Sequence, residues 1–222
     1  MSRAEQAPPK PTGWRTIIAG TGGQGVITAA RLLTDFAVRH GHQVLSSQLH
    51  GMAQRGGAVQ SVVTVDCGIS PVIGRTGADF ILGLEPVETT RALPQMTART
   101  VVFMNSTPVI PFVLAQHHVL GEGMATYPSV AELSACIREV TSRLVTLDAS
   151  ALAKQAGSIR ALNIVMLGCL FGSGLLPYSG EQFMKSVMKT VPPHLAEVNS
   201  RAFTSGVEFS RILKLNEECQ CL

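Results

Sequence analysis

Two glycine-bearing loops hold the residues whose type and spacing can do chemistry in this sequence. The first is GTGGQG, Gly20 to Gly25, which follows the apolar run TIIA and precedes a stretch of helical period. Its G-x-G-x-x-G spacing suits a strand-to-helix turn: Gly20 permits the tight turn, Gly22 close backbone approach, and Gly25 packing of helix on strand. Amides at Gly22, Gly23, Gln24 and Gly25, where a helix begins, favour an anion such as a phosphate. The second loop is SSQLHGMAQRGGAVQSVV, Ser46 to Val63. Gln48, His50, Gln54 and Arg55 offer donors to carboxylate, amide or phosphate groups, and Arg55 can do so bidentately. Gly56 and Gly57 reach backbone conformations closed to other residues.

The spacing alone leaves the use of the first loop open. A dinucleotide fold carries an acid about twenty residues on, at the end of its second strand, to hold the ribose hydroxyls. Here that strand ends in Leu45-Ser46-Ser47-Gln48, with neither an acid nor an arginine for a 2′-phosphate. A packing turn, a phosphate or ligand site, and a weakened NAD or FAD site are the three readings. The second loop reads equally as a solvated connection, since most polar loops are only loops.

The elements that must position these loops alternate in type. Strand-like runs are expected at Arg15 to Ala19, GHQVLSS, AVQSVVTVD, ADFILGL, RTVVFMN and RLVTLDA. GMATYP is a further short candidate. Between Gln24 and His40, Val26, Ala29, Ala30, Leu33, Phe36 and Ala37 form one stripe of a helix that Gly41 stops. Ser129, with Glu132 three residues on, forms a capping box opening SVAELSACIREV. From Ser150 onward ALAKQAG, ALNIVMLGCLFG, EQFMKSVMKTV and LAEVNSRAFTSGVEFSRIL all read helical. The expectation is an α/β fold, a Rossmann-like, mainly parallel sheet flanked by helices with a helical C-terminal third. Residues 1–14 are expected to be a flexible lead-in and 15–222 a single domain.

Composition narrows the classes. Hydrophobic residues make up 45% of the 222 and charged residues 15%, so a sizeable core is expected. A net charge of +3 without a basic run gives no nucleic-acid footprint. Leu162 to Leu176 is greasy but too short for a bilayer span and is interrupted by glycines. Five scattered cysteines, Cys67, Cys136, Cys169, Cys219 and Cys221, suit a reducing, cytoplasmic compartment. Nothing reads C-x-x-C as cluster ligation requires, and the C-x-C at the tail offers two ligands only. His117 and His118 face opposite ways on an extended chain. Ser46, Ser47 and Ser61 lack a nucleophile elbow. Glu85, at a strand's carboxyl end, can face a cleft or cap the next helix, and Glu88 suits that helix's dipole. Asn163 and Asn199, within helices, are expected to satisfy backbone or interface hydrogen bonds.

The stretches GTGGQGVITAARLL, HGMAQRGGAVQS, SPVIG and ADFILGLEPVETTRAL, followed by LDASALAKQAGSIRALNIVMLGCL and VPPHLAEVNSRAFTSGVEF, carry a resemblance. From Arg15 to Phe209 the chain resembles the gamma subunit or domain of 2-oxoacid:ferredoxin oxidoreductases. The closest likeness is to the small (beta) subunit of indolepyruvate ferredoxin oxidoreductases. The resemblance implies a chain inactive by itself, with no catalytic residue and no metal ligand of its own. Thiamine diphosphate, magnesium and [4Fe-4S] clusters would sit on large partner subunits, which pass electrons to ferredoxin or another acceptor. Coenzyme A is implied at the interface. Gly22, Gly23, Gln24 and Gly25, with Gln54, Arg55, Gly56 and Gly57, would complete the cleft or hold a carboxylate or the phosphates of coenzyme A. An aryl 2-oxo acid such as indolepyruvate or phenylglyoxylate is the implied substrate. A stand-alone NAD(P)-binding oxidoreductase and a purely structural assembly subunit are the alternatives.

Overall fold

Strand β1 (Trp14–Thr21) is apolar because both of its faces are covered: Ile18 enters one apolar layer, Ile17 and Ala19 the other. The same alternation runs through β4 (Phe80–Gly83) and β5 (Val101–Asn105), where Leu82 and Phe103 face the first layer and Ile81 and Met104 the second. Strands buried on both faces read as continuous apolar runs. The computed structural model describes residues 13–50, 56–75, 77–110 and 127–212.

Six strands form one sheet in the order β2-β3-β1-β4-β5-β6, with β2 at Val44–His50, β3 at Ala58–Val65 and β6 at Leu144–Leu147. Parallel pairing joins β1 to β4, β4 to β5 and β5 to β6. The expected mainly parallel sheet is present, with one feature that alternation does not reveal. Strand β3 runs antiparallel between β1 and β2 and so separates the two strands that helix α1 (Val26–Arg39) connects.

Helix α1 begins two residues later than its period suggests, because Gln24 lies in a turn and Gly25 takes the left-handed conformation at φ 82° as N-cap. Gly41 is likewise left-handed, at φ 82°, and β2 starts beyond it at Val44 rather than at Gly41. Helices α2 (Pro86–Thr90) and α3 (Val130–Arg138) lie on the second layer's side of the sheet. The capping box opening α3 forms as expected: the Ser129 hydroxyl accepts the Glu132 amide at 3.2 Å, and the Ser129 amide donates to the Glu132 carboxylate at 2.8 Å. Of GMATYP, residues 123–126 lie outside the described residues, and Tyr127 and Pro128 are not in a strand.

The helical last third covers the opposite face with α4 (Ala149–Ala156), α5 (Leu162–Gly172), α6 (Gly180–Val187) and α7 (Pro193–Ile212). Helix α5 is buried on every side from Leu162 to Phe171, which explains why it is apolar all round. It meets α7 backbone to backbone. A Cβ added at Gly206 would lie 2.0 Å from the Val165 carbonyl oxygen and 2.9 Å from the Cys169 nitrogen. Since rigid helix backbone cannot yield as a side chain does, Gly206→Ala must push the helices apart. The expected cost is about 1–3 kcal/mol, the range for overpacking a core. Denaturant unfolding should show it as a lowered midpoint, whereas Thr204→Ala on the exposed face of α7 should stay within about 0.5 kcal/mol. A Gly206→Ala protein as stable as the parent would contradict this packing.

Candidate functional site

The carboxyl ends of β1, β4, β5 and β6 lie along one edge of the sheet, where ligand loops of open α/β folds collect. The antiparallel course of β3 brings the second glycine loop to the same edge. The β1–β3 ladder ends with Thr21 opposite Ala58. Beyond it the Gly22 amide donates to the Gly57 carbonyl at 2.9 Å, and the Gly56 amide to the Gly22 carbonyl at 3.4 Å. Gly56 sits at φ 72°, a conformation that favours glycine. The two loops singled out in the sequence are thus one backbone-bonded surface. Gln54 and Arg55 lie outside the described residues.

Within the first loop the Gln24 amide donates to the Thr21 carbonyl at 3.1 Å, while the Gln24 side-chain oxygen accepts the Thr21 amide at 2.7 Å. Its Nε2 donates to the Leu84 carbonyl at 3.0 Å, so both ends of Gln24 are engaged inside the protein. Gly23, at φ 103°, is exposed, with open space where a Cβ would stand. A Cβ at Gly20 would meet the Gln24 side chain at 2.7 Å, and one at Gly25 the Asn163 amide at 2.7 Å. Close packing is therefore real at Gly20 and Gly25, while Gly22 and Gly23 border solvent and the second loop. The first turn of α1 has neither a side-chain cap nor an acid, which leaves its amides for an incoming anion.

A hydrogen-bond network carries this edge across the sheet. The Leu84 carbonyl accepts from Gln24 and also from Asn105 Nδ2 at 3.0 Å. Asn105, fully buried at the end of β5, also donates to the Ser150 hydroxyl at 3.1 Å and accepts the Ser150 amide at 3.3 Å. Glu85 is 1% exposed and caps α2, its Oε2 accepting the Glu88 amide at 2.9 Å. Its Oε1 accepts the Val109 amide at 3.3 Å and the Tyr127 hydroxyl. Burial, then the bond to Glu85 and that group's charge, push the Tyr127 phenol up, so it stays protonated. Burial likewise raises Glu88, against the nearby Arg91 at 3.6 Å. The capping reading of Glu85 holds. Sequence reasoning missed Asn105 and Tyr127; the visible signal for Asn105 was a polar residue closing an apolar strand at its carboxyl end.

The other candidates disperse. Asn163 Nδ2 donates to the Gly25 carbonyl at 3.2 Å, the backbone bond expected of a buried amide. Ser61 is buried within β3. Cys67 is half-buried, Cys136 exposed and Cys169 buried, its thiol pushed up to about 12 by that burial. Residues 117, 118, 219 and 221 lie outside the described residues. Among the described residues no three His, Cys, Asp or Glu side chains are grouped to hold a metal ion, and no helix is long and apolar enough to cross a membrane. Strand β2 stands two strand spacings from β1, about 9–10 Å. An acid at its end would not sit beside β1 as in a dinucleotide fold, which removes the geometric basis of the nicotinamide reading.

Known proteins share this arrangement. The fold is that of the gamma subunit of a keto/oxoacid ferredoxin oxidoreductase from Geobacter sulfurreducens, at a TM-score of 0.61 and 23% identity over 89% of this chain and 98% of that one. It is also found within a 2-oxoglutarate:ferredoxin oxidoreductase from Magnetococcus marinus, solved with 2-oxoglutarate, coenzyme A and succinyl-CoA bound. There the TM-score is 0.66 at 16% identity, over 91% of this chain and 32% of that longer one. In sequence the chain is 33% identical, over 86% of its length and 92% of the relative's, to indolepyruvate oxidoreductase subunit IorB of Archaeoglobus fulgidus. The pattern of pyruvate ferredoxin/flavodoxin oxidoreductases matches residues 15–209, and the chain belongs to that family.

Proposed function

We propose that the chain is the small, gamma-type subunit of a thiamine-diphosphate-dependent 2-oxoacid:ferredoxin oxidoreductase. In this reading it completes the active-site cleft or coenzyme A site of a larger partner. The observation that carries the reading is the bonding of Gly22 to Gly56 and Gly57, which makes one glycine-lined wall at the sheet's carboxyl edge. The family match supports the reaction class, and the name of the Archaeoglobus relative supports indolepyruvate, or another aryl 2-oxo acid such as phenylglyoxylate, as the substrate of the assembled enzyme.

Thiamine diphosphate, magnesium and [4Fe-4S] clusters belong to the partner subunits in this reading. The described cysteines, one half-buried, one exposed and one buried, are not grouped as cluster ligands. Coenzyme A, where bound, supplies the thiol that receives the acyl group. This chain's part is to bind and to exclude water. The uncapped amides at the start of α1, exposed Gly23 and the Gly56-Gly57 turn receive an anion, and Gln54 and Arg55 address its oxygens. Residues 15–222 act as one unit, the assembled enzyme works in the cytoplasm, and ferredoxin or a similar acceptor is reached through the partner.

Two experiments test this. In the assembled complex Arg55→Ala should leave subunit association intact and lower turnover or the apparent affinity for coenzyme A about 10–100-fold, the scale of one charged hydrogen bond. Parental kinetics would make the chain a structural spacer instead. NADH titrated into the purified chain should show no saturable binding by fluorescence, because β2, Val44–His50, carries no acid to hold the ribose. Stoichiometric binding would replace this reading with a stand-alone oxidoreductase.

A further inference from the structure

The amino ends of β1, β4, β5 and β6 lie along the edge of the sheet opposite the glycine loops. Three of these strands carry an arginine at or just before their start: RTII at Arg15, RTVV at Arg99 and RLVT at Arg143. Strand order gathers the three, because β5 neighbours β6 and only β4 stands between β5 and β1. All three line one cleft of about 450 Å³, with Asp79 at the entry to β4. Its volume lies within the range of small-molecule sites.

The backbone beneath the cleft is tied from strand to strand. The Arg15 amide donates to Asp79 Oδ2 at 2.7 Å, and the Asp79 amide to the Arg15 carbonyl at 3.0 Å. Thr100 Oγ1 donates to the Ala78 carbonyl at 2.7 Å, and Thr141 Oγ1 to the Thr100 carbonyl at 2.8 Å. Arg143 is itself held, its Nη1 donating to the Arg99 carbonyl at 2.7 Å. The arginines therefore stand on a fixed frame, which lowers the cost of ordering them around a ligand.

Charge in the lining is unbalanced. Arg15 and Arg99 have no ion pair among the described residues, and Asp79 already commits one oxygen to the Arg15 amide. Three guanidinium groups against one carboxylate make the cleft attractive to anions. Two strand spacings, about 9–10 Å, separate β1 from β5, so a ligand that engages both Arg15 and Arg99 needs more than one anionic group. Phe80, the aromatic residue of the lining, is buried and offers a nucleoside base no stacking face.

We propose that this cleft binds a small polyanion with two or more phosphate or carboxylate groups, held by Arg15 on one side and by Arg99 and Arg143 on the other. Guanidinium groups take either kind of oxygen pair bidentately. The cleft shares no residue with the glycine wall, and its ligand is independent of the subunit assignment.

The probes are inorganic pyrophosphate and citrate, titrated by calorimetry into the full-length chain at constant ionic strength, with orthophosphate and acetate as their single-group counterparts. Pyrophosphate or citrate should bind saturably, one per chain, and about tenfold or more tighter than its counterpart. The tighter of the two identifies the ligand class as phosphate or carboxylate. Arg99→Glu, at an exposed position, and Arg15→Gln, whose backbone amide still reaches Asp79, should each weaken binding about tenfold or more without lowering the melting temperature. Asp79→Asn keeps an oxygen for the Arg15 amide while removing the negative charge, and should tighten binding. Lys154→Glu, exposed on α4 outside the cleft, should bind as the parent does. No saturable binding, equal binding of each polyanion and its counterpart, or parental affinity in Arg99→Glu would overturn the proposal. So would a loss in Lys154→Glu as large as in Arg99→Glu, which would reduce the effect to net charge.

Discussion

Antiparallel pairing of β3 with β1 is the constraint from which the functional edge follows. A parallel neighbour would enter from the opposite end and leave its preceding loop at the wrong edge of the sheet. Because β3 reverses, the residues just before Ala58 are delivered beside those just after Thr21, and the ladder runs on into Gly22, Gly56 and Gly57. Glycine suits this meeting because Gly56 holds a positive φ and Gly23 faces open space at φ 103°. Two loops separated by some thirty residues in the chain thereby form a single wall lined by backbone rather than by side chains.

That wall is held by groups that do no chemistry themselves. Gln24 ties the turn to the Leu84 carbonyl, and Asn105 reaches the same carbonyl from the next strand before bonding to Ser150. From the helical side Asn163 holds the Gly25 carbonyl. The two bonds to the Leu84 carbonyl satisfy a backbone group just beyond the end of β4, so they serve stability and position together. The helix behind Asn163 is itself fixed by the backbone approach of α5 to α7 at Gly206. The glycine turn is thus coupled through packed elements to the C-terminal helices, and residues of α5 and α7 line part of a cleft of about 360 Å³ beside Gly23 and Gly25.

Division of labour between chains fits these materials. Backbone amides, an uncapped helix start and a few amide side chains can receive an anion and exclude water, but they cannot carry electrons or stabilise a carbanion. Such chemistry is supplied by cofactors, with the protein contributing placement and electrostatics. A subunit of this kind is built to be shaped correctly, and its functional residues are legible more as conformational requirements than as reactive side chains.

The residues alone determined a good deal. Apolar runs gave all six strands near their observed places, the stripe from Val26 to Ala37 gave α1, and Ser129 with Glu132 gave the start of α3, because period and capping are local properties. The GTGGQG and MAQRGG segments marked both loops, and the missing acid after β2 spoke against a nicotinamide site. Tertiary structure decided that those two loops meet at one edge of the sheet. Only the order of strands placed β3 between β1 and β2, since strand direction depends on pairing partners and not on the period of a single run. The same holds for Asn163 and Asn199, which sequence offered as two isolated buried amides. Their common cleft exists only because α5 and α7 fold back across α1, and contacts between segments far apart in the chain leave no local pattern to read.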